Sequence, residues 1–145
     1  MRKNVFGRQF KRDRNERQSL FKGLISHLVL NERIKTTEEK AKSIKADVDK
    51  IITKAKKGEA TARYLLQKQL PNDAIKKVIL EIAPRFGKRQ GGYTRIIKIG
   101  RRFSDNASMA LMEWVEADLL DKKIPITASP RQARLNAASA EAQKA

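Results

Sequence analysis

Apolar residues recur along the chain in helical steps first and in strand-like alternation later. Leu20, Phe21, Leu24, Ile25, Leu28 and Val29 are spaced so that they share one helical face. This helix is predicted to start at Asp13, with Glu16 three residues on in the position of a capping box. Ala41, Ile44, Val48, Ile51, Ile52 and Ala55 form the stripe of a second helix, with Thr36 as cap, Glu39 at the box position and Gly58 as the left-handed residue at its end. A third, short helix is expected from Glu59 to Gln69, ahead of Pro71. A fourth, capped by Asn72, turns Ile75, Val78, Ile79 and Ile82 inward, and stops at Pro84.

After Pro84 the rhythm changes. Tyr93 to Ile99 is rich in β-branched residues with rough alternation, and Met109 to Val115 reads as a second strand with Met109, Leu111 and Trp114 as core candidates. The two should pair as an antiparallel hairpin, with Arg33 to Thr36 a short third strand. The expected fold is α+β: about four helices on one face of a small three-stranded, mostly antiparallel sheet. Residues 1–12 read as a basic extended arm that cannot fold alone, 13–116 as the globular domain, and 117–145 as a flexible tail with Pro125, Pro130 and an Ala, Ser and Gln-rich end. No internal repeat is present.

Charge sharpens this picture. The 145 residues carry 33 Lys and Arg against 16 Asp and Glu, a formal net charge of +17. Residues 1–22 hold eight basic and two acidic groups, and residues 84–102 hold seven basic groups and no acid. Two such concentrated blocks point to a polyanionic partner, nucleic acid above all. The chain has no cysteine and a single histidine, His27, which excludes disulfides, thiolate zinc sites and a multi-histidine metal centre. No apolar run is long enough to span a bilayer, and the basic N-terminus is not followed by the apolar stretch of a secretory signal.

Catalytic patterns are missing. There is no phosphate-binding GxxxxGK[ST] loop and no GxSxG elbow. His27, three residues from Leu24, reads as a packed or edge histidine. The carboxylate pairs Glu38/Glu39, Asp47/Asp49 and Glu116/Asp118 read as partners of nearby lysines. Recognition chemistry is better supplied. Arg85, Lys88, Arg89, Gly91 and Gly92 form a basic, glycine-rich loop in which backbone amides could approach a phosphate. Phe86, Tyr93 and Phe103 flank it, and aromatic rings among arginines suit unstacked RNA bases, although core packing is the commoner fate of each ring. A DNA-binding architectural protein is the alternative, but the strand expected between the first two helices argues against a helix-turn-helix.

Certain strings go further. Glu32-Arg33-Ile34-Lys35-Thr36-Thr37, followed by Lys40-Ala41-Lys42, resembles a hallmark of the bacterial-type large-subunit ribosomal protein family numbered seventeen. Gly91-Gly92-Tyr93-Thr94-Arg95-Ile96, with Lys98, Arg102, Asp105-Asn106-Ala107 and Met109-Ala110, resembles its second hallmark. Gly7-Arg8 and Arg17-Gln18-Ser19-Leu20-Phe21 fit its N-terminal segment. The resemblance covers residues 1–116 in order; no counterpart is placed for the tail.

It implies an α+β fold and a structural, non-catalytic role in the ribosome, cytoplasmic or else organellar, with large-subunit ribosomal RNA near the polypeptide exit tunnel and neighbouring ribosomal proteins as partners. No cofactor, metal or small-molecule substrate is implied. Carried over by position, RNA contacts should come from Arg2, Lys3, Arg8, Lys11, Arg12, Arg14 and Arg17, and from Arg85, Lys88, Arg89, Gly91, Gly92, Tyr93 and Arg95. Lys22, Arg33, Lys35, Arg101 and Arg102 complete the basic set. Four places depart from the family's habit: Lys3 replaces His, Arg14-Asn15-Glu16 replace small polar residues, Gly23 replaces Asn, and Ser104 replaces Gly.

Overall fold

A computed structural model of the chain describes residues 7–115. The first helix, α1 (Arg14–Asn31), leads into strand β1 (Arg33–Thr37) and directly on to α2 (Glu38–Ala55). Two shorter helices follow, α3 (Glu59–Leu66) and α4 (Asn72–Lys77). α4 runs on through a π-helical stretch, Val78–Ile82, and a last turn, Ala83–Arg85. Strands β2 (Thr94–Arg101) and β3 (Ser108–Trp114) close the domain. The sheet order is β1-β3-β2, with both pairings antiparallel. The α+β fold of four helices and three strands is therefore as expected, with β3 in the middle.

The helices pack on one face of the sheet. Ile25, Leu28 and Val29 of α1 and the stripe Ala41, Ile44, Val48, Ile51, Ile52 and Ala55 of α2 are buried, with Phe21 and Leu24 packed at the margin. These are the positions the helical spacing marks, while His27 is exposed on α1. On the sheet, Thr36, Thr94, Ala110, Met112 and Trp114 are buried beneath the helices. Met109 and Leu111, expected in the core, are half-buried on the other face. Side chains alternate along a strand, and Trp114 sets the phase: counting back by two from it reaches Met112 and Ala110. Phe86, Tyr93 and Trp114 form one aromatic cluster, with Phe86 5.2 Å from Tyr93 and 5.9 Å from Trp114 between ring centroids.

Several local signals were spent differently from their expected use. The residues at the helix starts, Asp13 and Thr37, make no side-chain cap bond, and Thr36 lies within β1. Pro71 precedes α4, so Asn72 is its first residue rather than its cap. Gly58, at φ 98° and ψ 151°, opens α3 instead of closing α2 in the left-handed form; only glycine occupies that region at low cost. α3 ends at Leu66 rather than Gln69. Pro84 does not stop its helix but sits inside the last turn, just after the π-helical stretch. A proline lacks an N–H and crowds the carbonyl four residues back, and a widened turn relieves both.

At the far end of α1, Glu32 takes a left-handed conformation (φ 63°) more usual for glycine. α1 has no basic residue in its last turn. Lys77 of α4 supplies one from across the fold, donating to the Leu30 carbonyl at 2.8 Å.

Candidate nucleic-acid interface

The expected contact residues fall into cations that the fold neutralises and cations that it leaves unopposed. Arg2 and Lys3 lie outside the described residues, as does the tail. The described part of the arm is not extended throughout. Arg12 N–H donates to the Gln9 carbonyl at 3.1 Å, Phe10 and Lys11 take left-handed backbone angles, and the Phe10 ring meets Phe21 edge-on at 6.1 Å. An aromatic anchor on α1 thus holds the arm's root to the domain.

Arg8 is ion-paired with Glu39 of α2, which also forms an ion pair with Lys42 at 3.8 Å. Next to this pair lies a cleft of about 440 Å³, lined by Gly7, Arg8, Arg17, Phe21, Lys42 and Ser43. Lys11, Arg12, Arg14 and Lys22 are exposed and have no acidic partner among the described residues. The Arg12 guanidinium donates to the Phe10 carbonyl at 3.3 Å.

The second block is tied more tightly. Arg85 donates to both carboxylate oxygens of Glu32, at 3.1 and 3.2 Å, and Lys77 adds an ion pair at 3.6 Å. Hydrogen bonding from Arg85 holds the Glu32 carboxyl below its ordinary pKa, against the opposing effect of burial. Arg89 donates to the Gly91 carbonyl at 3.0 Å, and its own carbonyl accepts from Lys56 at 2.5 Å and from the Tyr93 hydroxyl at 3.3 Å. The Lys56 ammonium also lies 4.7 Å from the Tyr93 ring centroid. Gly91 and Gly92 are exposed; Gly92, at φ 61°, is the one of the two whose backbone favours glycine. Lys88 is exposed on this loop without an acidic partner among the described residues.

Tyr93 needs correction as a candidate contact. Only 2% of it is exposed, its ring is packed on Phe86, and its backbone N–H donates to Asp49 at 3.2 Å. Apolar burial has claimed the ring, so it presents no face to a base. Phe86 is fully buried for the same reason, whereas Phe103 is wholly exposed.

On the sheet face away from the helices, Glu113 lies opposite Arg33 on one side and Arg95 on the other. Arg95 donates to it at 2.5 Å. Lys35 is exposed on the same face, opposite Leu111. At the β2–β3 turn Arg101 is exposed, and Arg102 makes a two-pronged contact to Asp105 at 2.9 and 2.5 Å. That contact, helped by the Ala107 N–H, pulls the Asp105 carboxyl down to about 2.

Lys56 is the residue that reading the sequence missed. It sits 33 positions from the loop carbonyl it holds, beyond the reach of any local pattern. Among the described residues no group of three or more His, Asp or Glu side chains could hold a metal, and no helix there is long and apolar enough to cross a membrane.

Cationic surfaces on a small α+β scaffold define a strongly basic class of domain. The comparisons with known proteins say which kind. Residues 20–115 match the family model for ribosomal protein L17, and the chain belongs to that family. The large ribosomal subunit protein bL17 of Thermodesulfovibrio yellowstonii is 44% identical over 117 residues, covering 80% of this chain and 88% of that protein. The bL17 of Shouchella clausii is 44% identical over 113 residues, covering 72% and 94%. The bL17 of Mesorhizobium japonicum is 38% identical over 146 residues, covering 100% of this chain and 99% of its own. This last alignment supplies a counterpart for residues 117–145, where the sequence motifs give none. Membership supports a structural role in the large ribosomal subunit, among ribosomal partners.

Proposed function

We propose that this protein binds large-subunit ribosomal RNA through its unopposed cations and holds RNA segments together near the polypeptide exit tunnel of cytoplasmic ribosomes. The observation that carries the reading is that, of the contact residues expected from the sequence, Lys11, Arg12, Arg14, Lys22, Lys35, Lys88 and Arg101 are exposed without acidic partners among the described residues. A fold that pairs Arg8, Arg85, Arg95 and Arg102 internally and leaves these open has surface charge that phosphates can neutralise, with release of counterions. The exit-tunnel position rests on the family resemblance alone. Arg85, Arg95 and Arg102 position the surface, while the unpaired cations meet the RNA.

A tagged copy should travel with the large subunit through a sucrose gradient and withstand a moderate salt wash. Retention in the light fractions, or co-migration with DNA, would overturn the proposal. Binding of the purified chain to structured RNA should exceed its binding to duplex DNA at equal salt. Changing Lys11, Arg12 and Arg14 together to Gln should flatten the salt dependence by about one unit of logarithmic slope for each phosphate no longer neutralised.

A further inference from the structure

Phe103 is the one large hydrophobic side chain that the described fold leaves entirely open, at 106% relative exposure. It stands on the β2–β3 turn, which its neighbours fix. Arg102 N–H donates to the Ala107 carbonyl at 2.9 Å, and Asn106 N–H donates back to the Arg102 carbonyl at 2.8 Å. Asp105 accepts from the Arg102 side chain and from Ala107 N–H at 3.2 Å. Asn106, at φ 56°, takes the left-handed position that closes the turn. The ring is therefore held out on a braced support.

One unopposed cation stands beside it. Arg101, two residues before the ring, is exposed without an acidic partner among the described residues, whereas Arg102 and Asp105 cancel each other and Lys98, further down the strand, pairs with Glu38 at 3.4 Å. An exposed ring in such a setting offers a π-face to a base, and an arginine beside it can take the adjoining phosphate.

We infer that Phe103 is a base-stacking residue, taking one unpaired base of a single-stranded RNA segment while Arg101 meets the phosphate next to it. The inference rests on the RNA-binding proposal and adds a subsite to it. A duplex offers no free base face, so the stacking contact is specific to unpaired RNA. The ring makes no core contact, so Phe103→Ala and Phe103→Leu leave the thermal unfolding midpoint unchanged.

The test uses the full chain with a twelve-nucleotide oligoadenylate and an RNA duplex of equal length, at one salt concentration. Phe103→Ala should weaken oligoadenylate binding roughly 5- to 100-fold, the range expected for loss of one base–aromatic stack, and leave duplex binding unchanged. Phe103→Leu should lose as much, because leucine is apolar but presents no π-face. In Phe103→Trp, the added indole emission, measured above that of buried Trp114, should be quenched by oligoadenylate. If Phe103→Leu binds as the unmodified chain does, the position makes a general apolar contact of the kind a protein pocket takes, and stacking is refuted. Equal weakening toward both RNAs refutes it too. If the unmodified chain binds neither RNA, the RNA-binding proposal falls first and the subsite with it, so the two failures are told apart.

Discussion

Glu32 links the left-handed end of α1 to the helical segment that carries Arg85, and Glu32→Gln tests what that link is worth. The substitution keeps the shape and removes the charge. Hydrogen bonds to charged groups contribute about 1.5–3 kcal/mol when shielded, and exposed ion pairs about 0–1 kcal/mol. The Glu32 and Arg85 side chains are 31% and 25% exposed, and the two N–O distances are 3.1 and 3.2 Å. Solvent screening over the exposed part places the pair between those limits, at about 1–2 kcal/mol. For a domain of this size each kcal/mol shifts the unfolding midpoint by roughly 4 °C, so a fall of about 4–8 °C is expected.

Urea unfolding of the unmodified chain, Glu32→Gln, Arg85→Met and the double variant isolates the pairwise coupling. The coupling should also depend on pH with a definite sign. Pairing lowers the folded-state pKa of Glu32 from its ordinary 4.5. Its stabilisation is therefore complete above about 4.5 and is lost as pH falls through the depressed folded value. A coupling below about 0.3 kcal/mol at pH 7, the limit within which independent sites add, would refute the argument. So would a Glu32→Gln variant that loses as much stability on acidification as the parent. A companion change separates backbone from charge. Glu32→Gly and Glu32→Ala both lose the pair, but glycine fits φ 63° without strain and should leave the protein more stable than alanine by about 1 kcal/mol.

Three further outcomes follow from the geometry. Tyr93→Phe loses the hydroxyl's bonds to Lys56 and the Arg89 carbonyl and should destabilise the fold by about 1 kcal/mol, while RNA affinity falls only slightly; a large affinity loss with intact stability would return the ring to the interface. Gly58→Ala forces a Cβ into φ 98° and should cost about 1–3 kcal/mol in urea unfolding; a neutral result would mean that the turn re-forms differently. The Asp105 carboxyl, followed by NMR, should titrate near 2 instead of 3.8, so its bracing of the β2–β3 turn holds above 3.8 and is lost as pH falls through 2; a midpoint near 3.8 would show that Arg102 does not hold it.

How much of this was legible in the sequence depends on how far apart the partners lie. The two long helices were readable because apolar residues repeat every three to four positions over eighteen-residue elements. The phase of β3 was not, because Met109, Leu111 and Met112 are all apolar and alternation cannot choose a face. Trp114, the largest side chain in the strand, chooses it. Basic residues were visible as candidates, but their availability was not. Arg85 finds its acid 53 positions away and Arg95 finds its acid 18 away. Of these three arginines, Arg102 is the one that pairs within three. Of the seven cations in residues 84–102, Arg85, Arg95, Lys98 and Arg102 have acidic partners. Arg89 is turned onto the Gly91 carbonyl of its own loop, which leaves Lys88, on the glycine loop, and Arg101, two residues from an exposed phenylalanine, exposed without an acidic partner among the described residues. A count of charge along the chain spreads the proposed RNA contact over the whole block; the pairing in the fold narrows that proposal to the loop and the turn.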